Sequence, residues 1–204
     1  MMKILFGGSF DPIHLGHIYI IRKVIELYKP EKFIIVPAYQ SVGKKSYLFD
    51  CEFRLKLILK ALSELPVEIK KCIEISDYEL KQRKPVYTYE TILNIKPNTL
   101  LVGADVKYTQ WKFFNEIIDN YIDMFIVFPR YKQINNPRYN KEIIFDSRLI
   151  DNSSTEIKKK LYLHERINNY VPHLITTDIE RYFHEYYFIK RTQSDYCKDY
   201  NFIY

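Results

Sequence analysis

Two histidines, His14 and His17, stand three residues apart shortly after a pair of glycines. Side chains at positions i and i+3 share one face of a helix, and imidazole N–H groups can donate hydrogen bonds to an anion. The glycines, Gly7 and Gly8, leave room for an anionic ligand to reach the backbone. A helix that begins near His14 adds unpaired N–H groups and a partial positive charge. This spacing therefore indicates a phosphate-binding site.

The same histidines could instead supply half of a zinc site. Zinc needs three or four ligands, and the nearest cysteine, Cys51, has no Cys or His partner at ligand spacing. A glycine pair after a strand also occurs in any tight turn. Phosphate binding rests on the complete segment from Lys3 to His17 and is the interpretation we adopt, with no metal ion held by the protein itself.

Hydrophobic spacing places this segment between a strand and a helix. The run from Lys3 to Phe6 is too short for a buried helix, and it ends at the glycines. Apolar residues then recur every three or four positions, as on one helical face, at Leu15, Ile18, Ile21, Ile25 and Tyr28. We therefore expect both histidines on the first turn of the first helix, with His17 exposed to a ligand rather than packed in the core.

The segment GGSFDPIHLGH resembles the signature of the nucleotidylyltransferase superfamily, GG(S/T)FDPxHxGH, which closes strand one and opens helix one. The resemblance implies a catalytic role for both histidines and contacts to ATP from Gly7, Gly8, His14 and His17. It also implies that the attacking mononucleotide meets Gly8, Ser9 and Phe10. The motif alone does not choose that mononucleotide.

A mobile loop is predicted after the second strand. Residues 33–36 form a β-branched run, and residues 38–47 are mostly polar, at the end of a strand where open α/β sheets bind ligands. Without the family resemblance, Lys44 and Lys45 would be interpreted as a solvent-exposed pair in the loop. Bacterial members of the superfamily carry a PPHK-like segment here, and Lys44 occupies its lysine position, which implies a catalytic role with contacts to the triphosphate and the mononucleotide. Ser41-Val42-Gly43 replaces the prolines and histidine, so we expect a looser loop.

Two later segments suggest an acceptor pocket. Tyr87-Thr88 resembles part of the (S/V)YTxxT motif of nicotinate mononucleotide adenylyltransferases, which holds the pyridine carboxylate. Thr88 is equally expected as the N-cap of a helix. Trp111, the only tryptophan, follows VGAD as in the family's (I/V)G(A/Q)D segment with its downstream Trp. Its polar neighbours favour a partly exposed stacking platform for a flat heterocycle over a core position.

Two further strand ends carry candidate ligand contacts. Residues 99–103 form an interior strand, and Asp105 follows its carboxyl end, where an acidic residue of dinucleotide folds accepts ribose hydroxyl hydrogens. We assign Gly103 and Asp105 to ATP. The strand over 123–128 ends at Pro129-Arg130, which resembles the family's RPG turn with the first two residues exchanged, and Arg130 is assigned to the mononucleotide.

A second anion site is predicted at the start of a helix that ends near Leu163. Its capping hydroxyls and following cation resemble the family's second signature, ISSTxI(R/K), and imply contacts to ATP from Ser153, Ser154, Thr155 and Lys158. Most adenylyltransferases for pyridine mononucleotides carry Arg at the last position. Lys158 keeps the charge, and we count it as catalytic, but it lacks the bidentate fork. If the sheet is doubly wound, the start of this helix lies close to the anion site at the start of the first helix.

Composition limits the class of protein. The 204 residues are 47% hydrophobic, enough for one domain over 1–191 with a polar, tyrosine-rich tail over 192–204. A scattered net charge of +6 suits small polyanionic substrates, and we predict no nucleic-acid partner. Three cysteines without CxxC spacing indicate reduced thiols, and no signal peptide or membrane helix is evident. A soluble, cytoplasmic protein is expected, and a homo-oligomer is left open.

Together these features predict an α/β fold, with a five-stranded, doubly wound parallel sheet of the Rossmann-like nucleotidylyltransferase type. A further edge-strand candidate spans 143–145, and a last helix spans 179–187. The resemblance implies adenylyl transfer from ATP to nicotinate mononucleotide in NAD biosynthesis, with Mg²⁺ bound chiefly by the triphosphate. Positioning and charge neutralisation suffice for such a transfer, so no side-chain nucleophile is required. A phosphopantetheine adenylyltransferase and a catalytically silent nucleotide-binding regulator are the alternatives.

Overall fold

The computed structural model describes residues 1–42, 46–129, 141–144 and 152–194, with the backbone alone at Asp119 and over 187–194. These residues form six strands: β1 (Lys3–Gly8), β2 (Lys32–Pro37), β3 (Ile73–Ile75), β4 (Thr99–Gly103), β5 (Met124–Phe128) and β6 (Glu142–Ile144). They also form eight α-helices: α1 (Leu15–Tyr28), α2 (Cys51–Ser63), α3 (Val67–Lys70), α4 (Tyr78–Gln82), α5 (Thr88–Ile95), α6 (Phe114–Tyr121), α7 (Ser154–Tyr162) and α8 (His173–Ser194).

The six strands form one sheet in the order β3-β2-β1-β4-β5-β6, and every neighbouring pair is parallel. The strand order reverses between β1 and β4, and doubly wound folds bind ligands in the crevice at the carboxyl ends of such strands. The predicted parallel α/β fold is confirmed. The predicted count of five strands is one too low, because the three residues of β6 pair with β5, with Ile143 aligned to Ile126.

Helices cover both faces of the sheet. Side chains alternate along each strand, so Phe6 of β1 faces one layer and Leu5 the other. The Phe6 layer contains buried residues of α1, α2, α7 and α8, and the Leu5 layer contains Ile92 of α5 and Ile117 of α6. The elements that carry the predicted phosphate-binding residues, α1 and α7, therefore lie on the same face.

Two helix boundaries differ from the predictions. The N-cap of α5 is Tyr87 and not Thr88, because the Glu90 carboxylate accepts the Tyr87 N–H at 2.9 Å and the helix begins one residue after it. The last helix, predicted over 179–187, runs from His173 to Ser194, so the predicted start of the tail at 192 falls inside it.

None of the helices in the described residues combines the length and apolar composition needed to span a lipid bilayer.

The start of α2 is fixed by its own N-cap and by α8. Asp50 caps the helix by accepting the Phe53 N–H at 2.8 Å. The Tyr182 hydroxyl of α8 donates to the other Asp50 oxygen at 2.7 Å, and its ring stacks on Phe53 with centroids 4.2 Å apart. Burial, followed by the bond to Asp50, raises the pKa of Tyr182 to about 12. This contact holds the end of α2 that points toward the carboxyl edge of the sheet.

Candidate active site

His14 and His17 are held together at the start of α1. His14 is the N-cap, and its Nδ1 accepts the His17 N–H at 3.4 Å while the Nδ1 of His17 accepts the His14 N–H at 3.2 Å. The two rings stack with centroids 3.7 Å apart. Because each Nδ1 is a hydrogen-bond acceptor, each neutral ring carries its proton on Nε2. Both Nε2 atoms are then donors, suited to an anion and unsuited to nucleophilic attack.

His17 is less exposed than we expected. Its ring is half-buried, with centroids 5.0 Å from Phe10 and 6.1 Å from Phe6, and His14 is 2% exposed. We expected an exposed side chain rather than a core position, and the exposure is only partial because the rings of Phe6 in β1 and Phe10 in the following turn lie beside it. Aromatic contacts of this kind restrict the ring and aim its Nε2 in one direction.

The N-terminus of α1 offers fewer backbone donors than the sequence suggested. The Leu15 N–H donates to the Tyr170 carbonyl at 2.9 Å, and the His17 N–H is used by His14. An anion at this helix end is therefore served by the helix dipole and the imidazole Nε2 groups rather than by these two N–H groups.

The turn after β1 exposes backbone and buries its aromatic side chain. Gly7 is exposed, and a Cβ at Gly8 would lie 3.1 Å from two atoms of the Phe10 ring, closer than ordinary packing allows. Phe10 itself adopts a φ of 46°, and its side chain is 1% exposed. The part of Phe10 that can meet a mononucleotide is thus its backbone, whereas Ser9 is only half-buried.

Asp11 joins three segments of the chain although it is fully buried. Its Oδ1 accepts the Phe49 N–H at 3.0 Å, and its Oδ2 accepts the Leu48 N–H at 3.3 Å and a hydrogen bond from Lys158 Nζ at 2.9 Å. From the sequence we assigned Lys158 to ATP, and we did not predict its ion pair with Asp11. An ammonium group carries three N–H donors, so the bond to Asp11 does not by itself prevent contact with a phosphate oxygen.

The start of α7 lies against the turn that precedes α1. Ser153 caps α7 by accepting the Glu156 N–H at 3.1 Å, and the Ser154 hydroxyl donates to the Pro12 carbonyl at 3.0 Å. Thr155 is exposed. The starts of α1 and α7, which we predicted to be anion sites, therefore lie close together.

Arg54 is a buried cation that the sequence prediction missed. It is 1% exposed and donates to three carbonyls: Ser9 at 2.6 Å, Tyr39 at 3.1 Å and Phe49 at 3.2 Å. Desolvation lowers the pKa of its guanidinium, and the nearby Tyr47 opposes this change. The available signal was a charged residue three positions before Leu57, on the apolar face of α2.

The residues predicted to form the acceptor pocket lie at the start of α5 and in the segment before α6. Trp111 is half-buried and meets Tyr108 edge-on, with centroids 6.2 Å apart. The next residue, Lys112, places its ammonium 5.3 Å from the ring centroid of Tyr87 and 5.0 Å from that of Phe113. The structure therefore brings the segment after Trp111 beside the residue that precedes Thr88, and it adds a cation that we had not predicted.

A carboxyl group behind α5 anchors this side of the site. Glu79 of α4 accepts a hydrogen bond from the Thr91 hydroxyl at 2.6 Å, one turn after Thr88. Burial raises the pKa of Glu79, the bond from Thr91 lowers it, and Glu90 raises it further. The contact fixes α5 and with it the helix start that carries Thr88.

The remaining predicted residues occupy separate positions. Gly103 ends β4, and Asp105 is exposed just beyond it at the same sheet edge as Gly8. Lys44 and Arg130 lie outside the described residues, as does the centre of the loop that we expected to be loose. Within the described ranges, no group of three or more His, Cys, Asp or Glu side chains could hold a metal ion.

A parallel sheet with its order reversed at β1 and β4, and two helix starts with histidine and lysine at that crevice, define a nucleotidyltransferase. The family model described as cytidylyltransferase-like matches residues 5–160. The chain belongs to this family, and the proteins similar to it include several named "Probable nicotinate-nucleotide adenylyltransferase".

Similar proteins cover nearly the whole chain. A Clostridium tetani protein named "Probable nicotinate-nucleotide adenylyltransferase" is 33% identical over 88% of this chain and 96% of its own. A Hydrogenobaculum protein with the same name is 34% identical over 82% and 89%. Among solved structures, Plasmodium falciparum nicotinic acid mononucleotide adenylyltransferase complexed with NaAD matches with a TM-score of 0.72, 21% identity and coverage of 91% and 96%. This last likeness concerns the fold.

Proposed function

We propose that the protein transfers the adenylyl group of ATP to nicotinate mononucleotide, giving nicotinate adenine dinucleotide and pyrophosphate. The proposal rests on one observation. The His14–His17 pair, the start of α7 and Lys158 lie together where the strand order reverses between β1 and β4. The names of the relatives support nicotinate mononucleotide as the acceptor over phosphopantetheine. We also propose a cytoplasmic location, in keeping with the free thiols of Cys51 and Cys72.

The chemistry follows from charge and position. The acceptor phosphate attacks the α-phosphorus of ATP, a bond from that phosphorus to an acceptor oxygen forms, and the bond to the leaving pyrophosphate breaks. Negative charge shifts onto the phosphate oxygens, where the Nε2–H groups of His14 and His17 and the ammonium of Lys158 stabilise it. Asp105 holds the adenosine ribose, and Ser9 and the Gly8 backbone orient the acceptor. Binding both reactants in one crevice supplies the remaining rate enhancement.

Mg²⁺ enters this scheme with ATP. The triphosphate supplies most of its oxygen ligands, since Mg²⁺ is commonly bound through substrate phosphates and few protein groups. Bound there, it neutralises charge on the leaving pyrophosphate. The chain itself would contribute the imidazole N–H groups of His14 and His17 and the ammonium group of Lys158 as donors to the phosphates.

The experiment that tests the proposal compares acceptors. Purified protein with MgATP is given nicotinate mononucleotide, nicotinamide mononucleotide or phosphopantetheine, and the products are identified by mass spectrometry. We expect the dinucleotide from the nicotinate substrate at the highest specificity constant. Turnover that is fastest with phosphopantetheine, or no turnover with any of the three, would refute the proposal.

We predict a preference for nicotinate over nicotinamide mononucleotide. The acceptors differ by a carboxylate against a neutral amide, and the start of α5, the Thr88 region and Lys112 provide donors and positive potential. Charged hydrogen bonds are worth roughly 1.5 to 3 kcal/mol each, so kcat/KM should differ by about 10- to 100-fold. Equal specificity constants would mean that this pocket is assigned to the wrong residues.

A further inference from the structure

Arg54 is placed to hold the turn after β1 rather than to fill the core. Burying a guanidinium is costly unless its donors are satisfied, and an apolar residue would serve simple packing as well or better. Here the donors reach carbonyls of three separate segments: Ser9 after β1, Tyr39 after β2 and Phe49 before α2. The shortest of the three bonds, at 2.6 Å, is the one to Ser9.

Tyr47 restrains the side chain of Ser9, the residue whose carbonyl accepts a hydrogen bond from Arg54. Its ring lies 4.4 Å from the Arg54 guanidinium carbon, and its hydroxyl oxygen accepts the Ser9 hydroxyl at 3.2 Å. Ser41 completes the set: its N–H donates to the Tyr47 oxygen at 2.7 Å, and its hydroxyl lies 2.7 Å from Tyr47 and 3.1 Å from Ser9. Both the carbonyl and the hydroxyl of Ser9 are therefore restrained.

This arrangement depends on the departure from the PPHK-like segment. Ser41 stands at the first proline position of that segment, and proline has neither an N–H group nor a hydroxyl. The bonds between Ser41 and Tyr47 could not form with proline there. In this chain, the hydrogen bonds to Tyr47 restrain residue 41 where the related segment has a proline.

We infer that Arg54 and Tyr47 are positioning residues that orient Ser9 toward the acceptor mononucleotide. The inference rests on the proposed function, because Ser9 meets the mononucleotide only in that reaction. Neither side chain contacts the reacting atoms in this scheme: Arg54 acts through the Ser9 carbonyl and Tyr47 through the Ser9 hydroxyl. Loss of either should therefore weaken use of the acceptor and spare use of ATP.

The discriminating variant is Tyr47→Phe, which keeps the ring beneath Arg54 and removes only the hydroxyl. We expect the KM for nicotinate mononucleotide to rise about tenfold, the effect of one lost orienting hydrogen bond, with the KM for ATP changed by no more than about twofold. The matched control is Tyr182→Phe, which removes a hydroxyl bonded to Asp50 at the start of α2, the helix that carries Arg54. Its kinetic constants should equal those of the wild-type protein.

Three further variants separate positioning from stability. If Tyr47 acts through Ser9, the double variant Ser9→Ala/Tyr47→Phe should have the same acceptor KM as Ser9→Ala alone. Arg54→Lys retains the charge but cannot reach three carbonyls, so its acceptor KM should also rise. If the variants keep the wild-type kcat but change the KM for ATP and the KM for the acceptor equally, the inference is overturned and the proposed function stands. The same holds if their only change is a lower melting temperature. A wild-type protein that makes no dinucleotide overturns the proposed function and the inference together.

Discussion

Replacing His17 with Asn is expected to lower kcat about 10²- to 10³-fold, the effect of removing one preorganised donor to the transition state. The Asn oxygen can take the place of Nδ1 and accept the His14 N–H, so the cap of α1 persists, while no atom replaces Nε2. Steady-state assays with saturating ATP and acceptor measure this loss. We expect the variant to remain folded, because lost ring contacts with Phe6 and Phe10 cost only about 1 to 2 kcal/mol.

His17→Gln is the matched comparison for this prediction. The Gln amide nitrogen lies near the position of Nε2, so the variant should recover part of the rate that His17→Asn loses. Thermal melts followed by circular dichroism report the folded fraction of each protein. Full activity in the folded fraction of His17→Asn would show that His17 only caps the helix.

Lys158→Ala should reduce both turnover and stability. Removing the ammonium takes away a charge from the phosphates, for which we expect a loss of about 10²-fold in kcat. It also takes the ammonium partner away from the fully buried Asp11 carboxylate, at a cost of about 2 to 3 kcal/mol in the free energy of unfolding. Denaturant titration measures the second effect separately from the first.

Two companion variants test the origin of these losses. Asp11→Asn/Lys158→Ala removes the buried charge and should recover stability relative to Lys158→Ala without recovering activity. Lys158→Arg keeps the charge and adds a fork that can hold two oxygens, so it should retain or improve activity. An active Lys158→Ala protein, with unchanged ATP affinity, would remove Lys158 from the catalytic set.

The sequence predicted the parts of the fold that local patterns determine. β1, β2, β4 and β5 are compact apolar runs, and α1, α2 and α7 show helical spacing after a capping residue, so their positions were accessible. β6 has only three residues; the sequence marked 143–145 as a further edge-strand candidate, and the strand forms by pairing with β5. The early start of α8 likewise depends on burial of Ile175 in the layer shared with α1.

The candidate site divides in the same way. The motif residues on α1 and α7 stand where their local sequence placed them, and their convergence follows from the strand order. Contacts between distant segments could not be predicted: Lys158 meets Asp11 across 147 positions, and Arg54 meets Ser9 across 45. Arg54, Tyr47 and Lys112 acquire a role only when the loops after neighbouring strands are brought together at one edge of the sheet.

The central claim is that the adenylyl group passes directly between two bound nucleotides, because both histidine Nε2 atoms are donors and cannot act as nucleophiles. Exchange of radiolabelled pyrophosphate into ATP tests this claim most directly. We expect no exchange with the enzyme, Mg²⁺ and ATP alone, and rapid exchange once nicotinate adenine dinucleotide and its mononucleotide are added. Exchange without them would reveal a covalent adenylyl-enzyme and contradict the claim.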